Sequence, residues 1–172
     1  ADIFAMQPSV LMVTFGMNDS GYFEYNGDKA KEFGEEKYQE SIKNYQQMEK
    51  RFKELPKTRI VMLGTSPYDE TVQLKEGNLF KTKNETIKRI VEYQKESAAK
   101  NGWEFSDLNA PMVALNQQFQ QKDPAFTLCG SDRIHPDNDG HMVMAYLFLK
   151  AQGFVGKDVA NMEINANKKQ AV

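Results

Sequence analysis

A chain of 172 residues is long enough for one domain with a sizeable buried core. Its formal net charge is −2, with acids and bases interspersed, so it carries no basic footprint for nucleic acid, and no apolar run reaches the length of a membrane span. One cysteine, Cys129, excludes an internal disulfide and says nothing of the redox compartment.

Ala1 stands where an initiator Met is expected, which reads as a processed or trimmed end. The missing leader therefore carries no information. Ser9 to Phe15 (SVLMVTF) is an apolar run of β-formers closed by Gly16, which predicts a strand buried on both faces. Gly16 to Asp28 is rich in Gly, Asn and Asp and predicts a loop. From Glu35 to Leu55 the residues Tyr38, Ile42, Tyr45, Met48, Phe52 and Leu55 recur every three or four positions, the stripe of a long amphipathic helix.

Arg59 to Leu63 predicts a second buried strand, followed by a loop through Ser66 and Pro67. Thr82-x-x-Glu85 reads as a capping box opening a helix with Ile87, Ile90, Val91 and Ala98, stopped by Gly102. Trp103 to Asp107 predicts a third strand, and Met112 to Phe119 a short helix. Asp139 is the expected cap of a last helix containing Met142, Ala145, Tyr146 and Leu149, ended by Gly153. Beyond it lies a polar tail with one strand-like piece, Met162 to Ile164. Alternating strands and helices argue for an α/β fold with a parallel sheet.

Two motifs carry the chemistry. Gly16-Met17-Asn18-Asp19 follows the first strand, where loops of open parallel sheets build sites. Asn18 there offers a side-chain NH₂ to a developing oxyanion, or else the segment is a polar turn. Ser131-Asp132-Arg133-Ile134-His135-Pro136 precedes the last helix. Three residues of separation let the Asp132 carboxylate fold back onto His135 and fix its tautomer, as a general base requires. The alternative is that Asp132 caps a turn and His135 is a half-buried loop histidine. His141, the only other histidine, reads as a packing or capping residue, and Cys129 as a small buried thiol rather than a nucleophile. Three His and Cys residues in all, with no His-x-x-x-His pairing, give no zinc site.

Together Gly16-x-Asn18-Asp19 after its strand, the strand RIVMLGTSP, and Ser131-Asp132-x-x-His135-Pro136 running into a helix resemble the SGNH (GDSL-like) hydrolases, over roughly Pro8 to Gly153. The resemblance implies a three-layer α/β/α sandwich with a parallel sheet, flavodoxin-like in layout. It implies hydrolysis of carboxylic esters through an acyl-serine, with His135 as base, Asp132 orienting it, Asn18 in the oxyanion hole, and no metal or organic cofactor. Implied substrates are small-molecule or carbohydrate esters, with no nucleic acid or membrane partner. The aromatic loops around Tyr22, Phe23, Tyr25 and Tyr68 suit a sugar ring as well as an acyl chain, or else pack against the core, and the lack of a long apolar segment for a lipid-binding lid favours carbohydrate O-deacetylation over lipolysis. Relatives of this kind are often exported, which favours a secreted or periplasmic site.

The family's Gly-Asp-Ser block, which carries the nucleophile, occurs nowhere in the chain. Ser9, Ser20 and Ser66 lie in no matching context. The expectation is a domain over 1–156 that is incomplete at its N-terminus, with exposed strand edges, inactive and marginally stable by itself. Residues 157–172 read as a tail or the start of a further segment. The competing function is a non-catalytic carbohydrate-binding or interaction module on the same scaffold. A nucleotide or phosphate binder is disfavoured, because no strand leads into a glycine-rich phosphate loop.

Overall fold

Each of the three β-rich runs becomes a strand of one parallel sheet, in the order β1 (Val10–Phe15), β2 (Arg59–Gly64), β3 (Glu104–Asp107). The structure, a computed structural model, describes residues 2–158, 164–165 and 170–171. In the register Leu11 lies opposite Ile60 and Val13 opposite Met62, while Met12 lies opposite Val61, and Val61 opposite Glu104. Period-two alternation therefore sends two different sets of side chains to the two faces.

On one face Leu11, Ile60 and Met62 pack with Tyr45 and Phe52 of α2 (Ala30–Phe52) and Ala98 of α3 (Lys83–Asn101). On the other, Leu63 joins a cluster built on Leu108, Met112 of α4 (Asn109–Gln120) and Leu128. Val143, Met144 and Leu147 of α5 (Asn138–Ala151) complete it. The expected α/β fold, a parallel sheet with helices on both sides, is thus the fold observed. A four-residue helix, α1 (Asp2–Ala5), precedes β1, and β4 (Ile164–Asn165) pairs antiparallel with β5 (Gln170–Ala171). Of the strand-like piece expected at Met162 to Ile164, Met162 and Glu163 lie outside the described residues. Among those residues no helix is long and apolar enough to cross a membrane.

Several local expectations are corrected. β1 is not buried on both faces: Met12 is 56% exposed and Val10 42%. It is the outer strand of the sheet, so Leu11 and Val13 meet the α2 layer while Val10 and Met12 have no cover among the described residues. The long helix starts at Ala30 and stops at Phe52; Leu55 stays buried beyond its end. On α5 the cap is Asp137, not Asp139. Asp137 has the extended backbone a cap needs and accepts from the Gly140 amide at 3.3 Å. Met142, Tyr146 and Leu149 point away from the core.

The capping box at α3 does not form. Thr82 sits in the left-handed region (φ 67°) and its side chain makes no cap bond. The orphan amides are met from the preceding loop instead: Glu70 accepts from Thr82 N at 2.9 Å and from Asn84 N at 2.6 Å. Burial pushes the Glu70 carboxyl above its ordinary value, and these two amides pull it back. Glu70→Ala should cost about 1–2 kcal/mol of stability, the usual worth of a helix cap. Urea denaturation of the two proteins reads this directly, and an unchanged midpoint would show that the carboxylate does not cap α3.

Candidate active site

The Asn18 loop leaves β1 at the carboxyl end of the sheet, and the Asp132–His135 loop joins α4 to α5. Gly16 has φ +136°, and a Cβ there would lie 2.9 Å from Thr65 Cγ2, so the chain passes too close to the β2 exit for any other residue. The turn that follows is closed by its own polar groups. Gly16 N donates to Asp19 Oδ2 at 2.8 Å, Ser20 N to Gly16 O at 3.0 Å, and Gly21 N to Asn18 O at 3.1 Å. From α3, Gln94 Nε2 donates to Phe15 O at 2.9 Å and fixes where β1 ends. The turn presents Asn18 to solvent, and the Tyr22 hydroxyl donates to Asn18 Oδ1. With Oδ1 so engaged, the Asn18 NH₂, which has no partner among the described residues, can donate outward.

The second loop is bent by Gly130, at φ +68°. A Cβ there would meet the His135 carbonyl oxygen at 2.3 Å. Asp132 Oδ1 accepts from the amides of Ile134 and His135, both at 2.9 Å, and Oδ2 meets His135 Nδ1 at 2.6 Å. Burial alone would raise the Asp132 carboxyl. The imidazole and the two amides outweigh it and hold the group below the ordinary carboxylate range. The His135 side chain is 81% exposed. It is an open imidazole with its Nδ1 edge occupied, not a half-buried loop histidine.

The two loops line one cleft. Met17 and Tyr22 from the first and Ile134 from the second pack on the same buried cluster, built on Tyr25, Tyr68 and Phe80. Tyr22, Phe23, Asn78, Phe80 and Asp132 line a cleft of 640 Å³. Burial raises the Tyr22 phenol, and the Asp132 and Asp19 carboxylates raise it further, which places the Asn18 partner within electrostatic reach of the Asp132–His135 pair. Of the aromatics expected to line a pocket, Tyr22 and Phe23 do so. Tyr25 and Tyr68 are core residues, 3% and 1% exposed.

The remaining candidates take structural places. Ser20 is fully buried, donates to Met17 O at 2.8 Å and accepts from Lys83 Nζ at 2.6 Å. Burial pushes the Cys129 thiol up to about 12, with the Asp69 carboxylate adding to it, and its Sγ donates to Pro67 O at 3.2 Å. His141 is exposed on α5 and caps nothing with its side chain among the described residues, so its expected packing or capping role does not hold. Among the same residues no group of three His, Cys, Asp or Glu side chains is placed to hold a metal ion.

Two site residues, Arg133 and Lys83, escaped the sequence reading, and Tyr22 was expected to line a pocket but not to hold Asn18. Arg133, between Asp132 and His135, is 5% exposed and has φ 68°. Its guanidinium donates to Asp69 O at 3.1 Å and Val72 O at 2.8 Å, anchoring the loop to the segment after β2. Tyr22 holds Asn18, and Lys83 holds the turn beneath it. A buried arginine and lysine in polar surroundings leave no periodicity to read.

Two outcomes follow. With Asp132 accepting at Nδ1, the neutral His135 ring carries its proton there and keeps a lone pair on Nε2. Long-range ¹H–¹⁵N spectra should show the Nδ1–H tautomer, and Asp132→Ala should shift the ring toward Nε2–H; an unchanged tautomer would show that Asp132 does not orient it. Cys129 should react with Ellman's reagent at pH 8 only after unfolding, because the thiolate is the reactive form.

Residues 2–143 match the model of the GDSL-like Lipase/Acylhydrolase family. Among solved structures the chain is 84% identical to BT4096, a gut microbial diltiazem-metabolizing enzyme, with TM-score 0.88, covering 99% of this chain and 38% of that one. It is 18% identical to a catalytic mutant of Axe2, an acetylxylan esterase from Geobacillus stearothermophilus, with TM-score 0.55, over 89% of this chain and 63% of that one. It is also 18% identical to LAE5, an alpha/beta hydrolase enzyme from the metagenome of Lake Arreo, Spain, with TM-score 0.57, over 91% of this chain and 65% of that one. The last two likenesses are of fold alone. The chain spans less than two thirds of the length of each of these three. No protein of curated function matches it. The sequence match over 2–143, the parallel sheet and the paired loops agree, and the chain belongs to the GDSL-like lipase/acylhydrolase family.

Proposed function

We propose that this chain supplies the base, its orienting carboxylate and one oxyanion donor of an ester hydrolase that removes acetyl groups from ring alcohols. The observation that carries the reading is the Asp132–His135 pair at 2.6 Å, with Asp132 lining the cleft that Tyr22 of the Asn18 turn also lines. The nucleophile is a serine outside these 172 residues. Within them Ser20 is buried with its hydroxyl already engaged, and Ser66 is buried.

In the reaction His135 Nε2 takes the proton of the serine hydroxyl as its oxygen adds to the ester carbonyl carbon. The oxyanion that forms is held by the Asn18 side-chain NH₂. Collapse breaks the bond to the alcohol oxygen, which leaves with the proton from Nε2. Water then adds to the acyl-serine, gives its proton to the same nitrogen, and acetate departs as the serine recovers its hydrogen. Asp132 stays ionised throughout and stabilises the imidazolium, consistent with a carboxyl held below its ordinary value.

Two features support the substrate. The cleft is large enough for a drug-sized or sugar-sized alcohol, with aromatic faces of Tyr22, Phe23 and Phe80 beside the polar Asn78 and Glu76. BT4096, 84% identical over 99% of this chain, is a diltiazem-metabolizing enzyme. Stacking of a ring-shaped alcohol on the aromatics, with a small acyl group at the Asn18 turn, suits acetylated sugars.

The full gene product should hydrolyse aryl and sugar acetates faster than the matching octanoates. His135→Ala and Asp132→Asn should each lower kcat by about 10⁴-fold, and Asn18→Ala by about 10²–10³-fold. A fluorophosphonate should label a serine outside residues 1–172. Labelling of Ser20 or Ser66 would sink the assignment of the nucleophile. Binding of the ester with no turnover and no labelled serine would make the chain a carbohydrate-binding or interaction module instead.

A further inference from the structure

Lys83 is the first residue of α3 and is fully buried, where a lysine is seldom found. Its ammonium ends among neutral oxygens. It donates to Met17 O at 3.0 Å, to Ser20 Oγ at 2.6 Å and to Gly21 O. All three acceptors belong to the one turn that presents Asn18. The Tyr22 ring centroid lies 3.9 Å from Nζ, and the Tyr25 ring centroid 5.9 Å. Three donors on three oxygens, with an aromatic face alongside, match the ammonium and not an amide or a thioether.

Leu or Met at this position would fill the space without the desolvation of a charge. What lysine adds is reach and three bonds to a turn of another part of the chain. Its position is set from outside the helix, because Glu70 holds the amides of Thr82 and Asn84 on either side of it. The Tyr22 ring packed on the ammonium carries the hydroxyl that donates to Asn18 Oδ1.

Resting on the reading of Asn18 as oxyanion donor, we propose that Lys83 is a positioning residue for that donor. Its buried ammonium holds the Met17–Tyr22 turn and the Tyr22 ring, and through the Tyr22 hydroxyl fixes which way the Asn18 amide points. Lys83 does not touch the substrate. The arrangement depends on the proton. Burial pulls the ammonium down to about 7, with the Glu70 carboxylate opposing. The groups that face Lys83 are Tyr22 from the turn, Tyr25 from the 3₁₀ helix Phe23–Asn26 that follows it, and Glu70 from the loop after β2. A neutral amine has two N–H bonds for three acceptors and loses the attraction to the ring. The hold on the turn therefore weakens as pH rises through this value.

The test reads Asn18 directly and needs no catalysis. In ¹H–¹⁵N spectra of the full gene product, the Asn18 side-chain amide peaks should move with the midpoint of the Lys83 Nζ titration. That movement should survive in His135→Ala and vanish in Lys83→Met, which keeps the side-chain volume. Asn18 peaks that are the same in folded Lys83→Met, or that follow His135 alone, overturn the proposal. If Lys83→Met does not fold, Tyr22→Phe decides: Asn18 should stop following Lys83, and an unbroken coupling overturns the inference. In the full enzyme Lys83→Met should lower kcat by up to about 10²-fold with little change in KM. Added to Asn18→Ala it should lower kcat no further, and a multiplicative loss would show an independent role. Failure of the spectral coupling leaves the esterase reading intact, and absence of esterase activity leaves the coupling measurable.

Discussion

Two adjacent carboxyl residues after β2, Asp69 and Glu70, are the junction from which both loops of the site hang. Asp69 exchanges backbone bonds with Arg133, accepting from its guanidinium and donating its amide to the Arg133 carbonyl at 3.1 Å. The Asp69 carboxylate is itself taken up by Thr71, the Val72 amide and Gln120 of α4. Glu70 meets the first amides of α3 and so places Lys83 under the Asn18 turn. One short segment at the end of the central strand thus sets the positions of the Asn18 turn and the Asp132–His135 loop.

Besides the buried cluster of Tyr25, Tyr68 and Phe80 on which both loops pack, the site is held by polar bonds. Buried polar groups left unpaired cost more than paired ones return, so a network of this kind specifies one geometry rather than adding stability. Asp69, Lys83, Asn84 and Asn109 are nearly closed to solvent and each has a protein partner, while Arg133 Nε and Asn109 Oδ1 have none among the described residues. At the end of β2, Gly64 lets α3 come close: a Cβ there would meet Val91 Cγ1 at 2.8 Å. Helix α3 touches the sheet at that point, and its first turn reaches past the strand ends to the site.

The alternation of elements was readable because burial imposes period: strands of apolar β-formers ending in Gly16 and Gly64, and a helix with Ile87, Ile90 and Val91 on one side. Asp132 and His135 were also readable, since three residues of loop limit what a carboxylate can reach, and their contact at 2.6 Å is a local matter. Asn18 was legible as a candidate from its turn, though not the direction of its amide, which a residue four places on decides.

Other features were not local. Thr82-x-x-Glu85 spells a capping box, yet a carboxylate twelve residues upstream of Thr82 took the role, because the left-handed backbone at Thr82 turns its hydroxyl away from the helix amides. β1 has the composition of a doubly covered strand and stands at the edge of the described sheet, since composition cannot say what packs beside a strand. Lys83 and Arg133 carry no signal of burial in the sequence and are buried. By itself the sequence determined the class of fold, the family and the Asp132–His135 pair, all of which follow from short-range spacing and hydrophobic period. The tertiary structure alone decided which distant oxygens meet the buried cations, and so how the two loops are held at one cleft, because hydrogen bonds across 60 residues of chain leave no pattern in the order of amino acids.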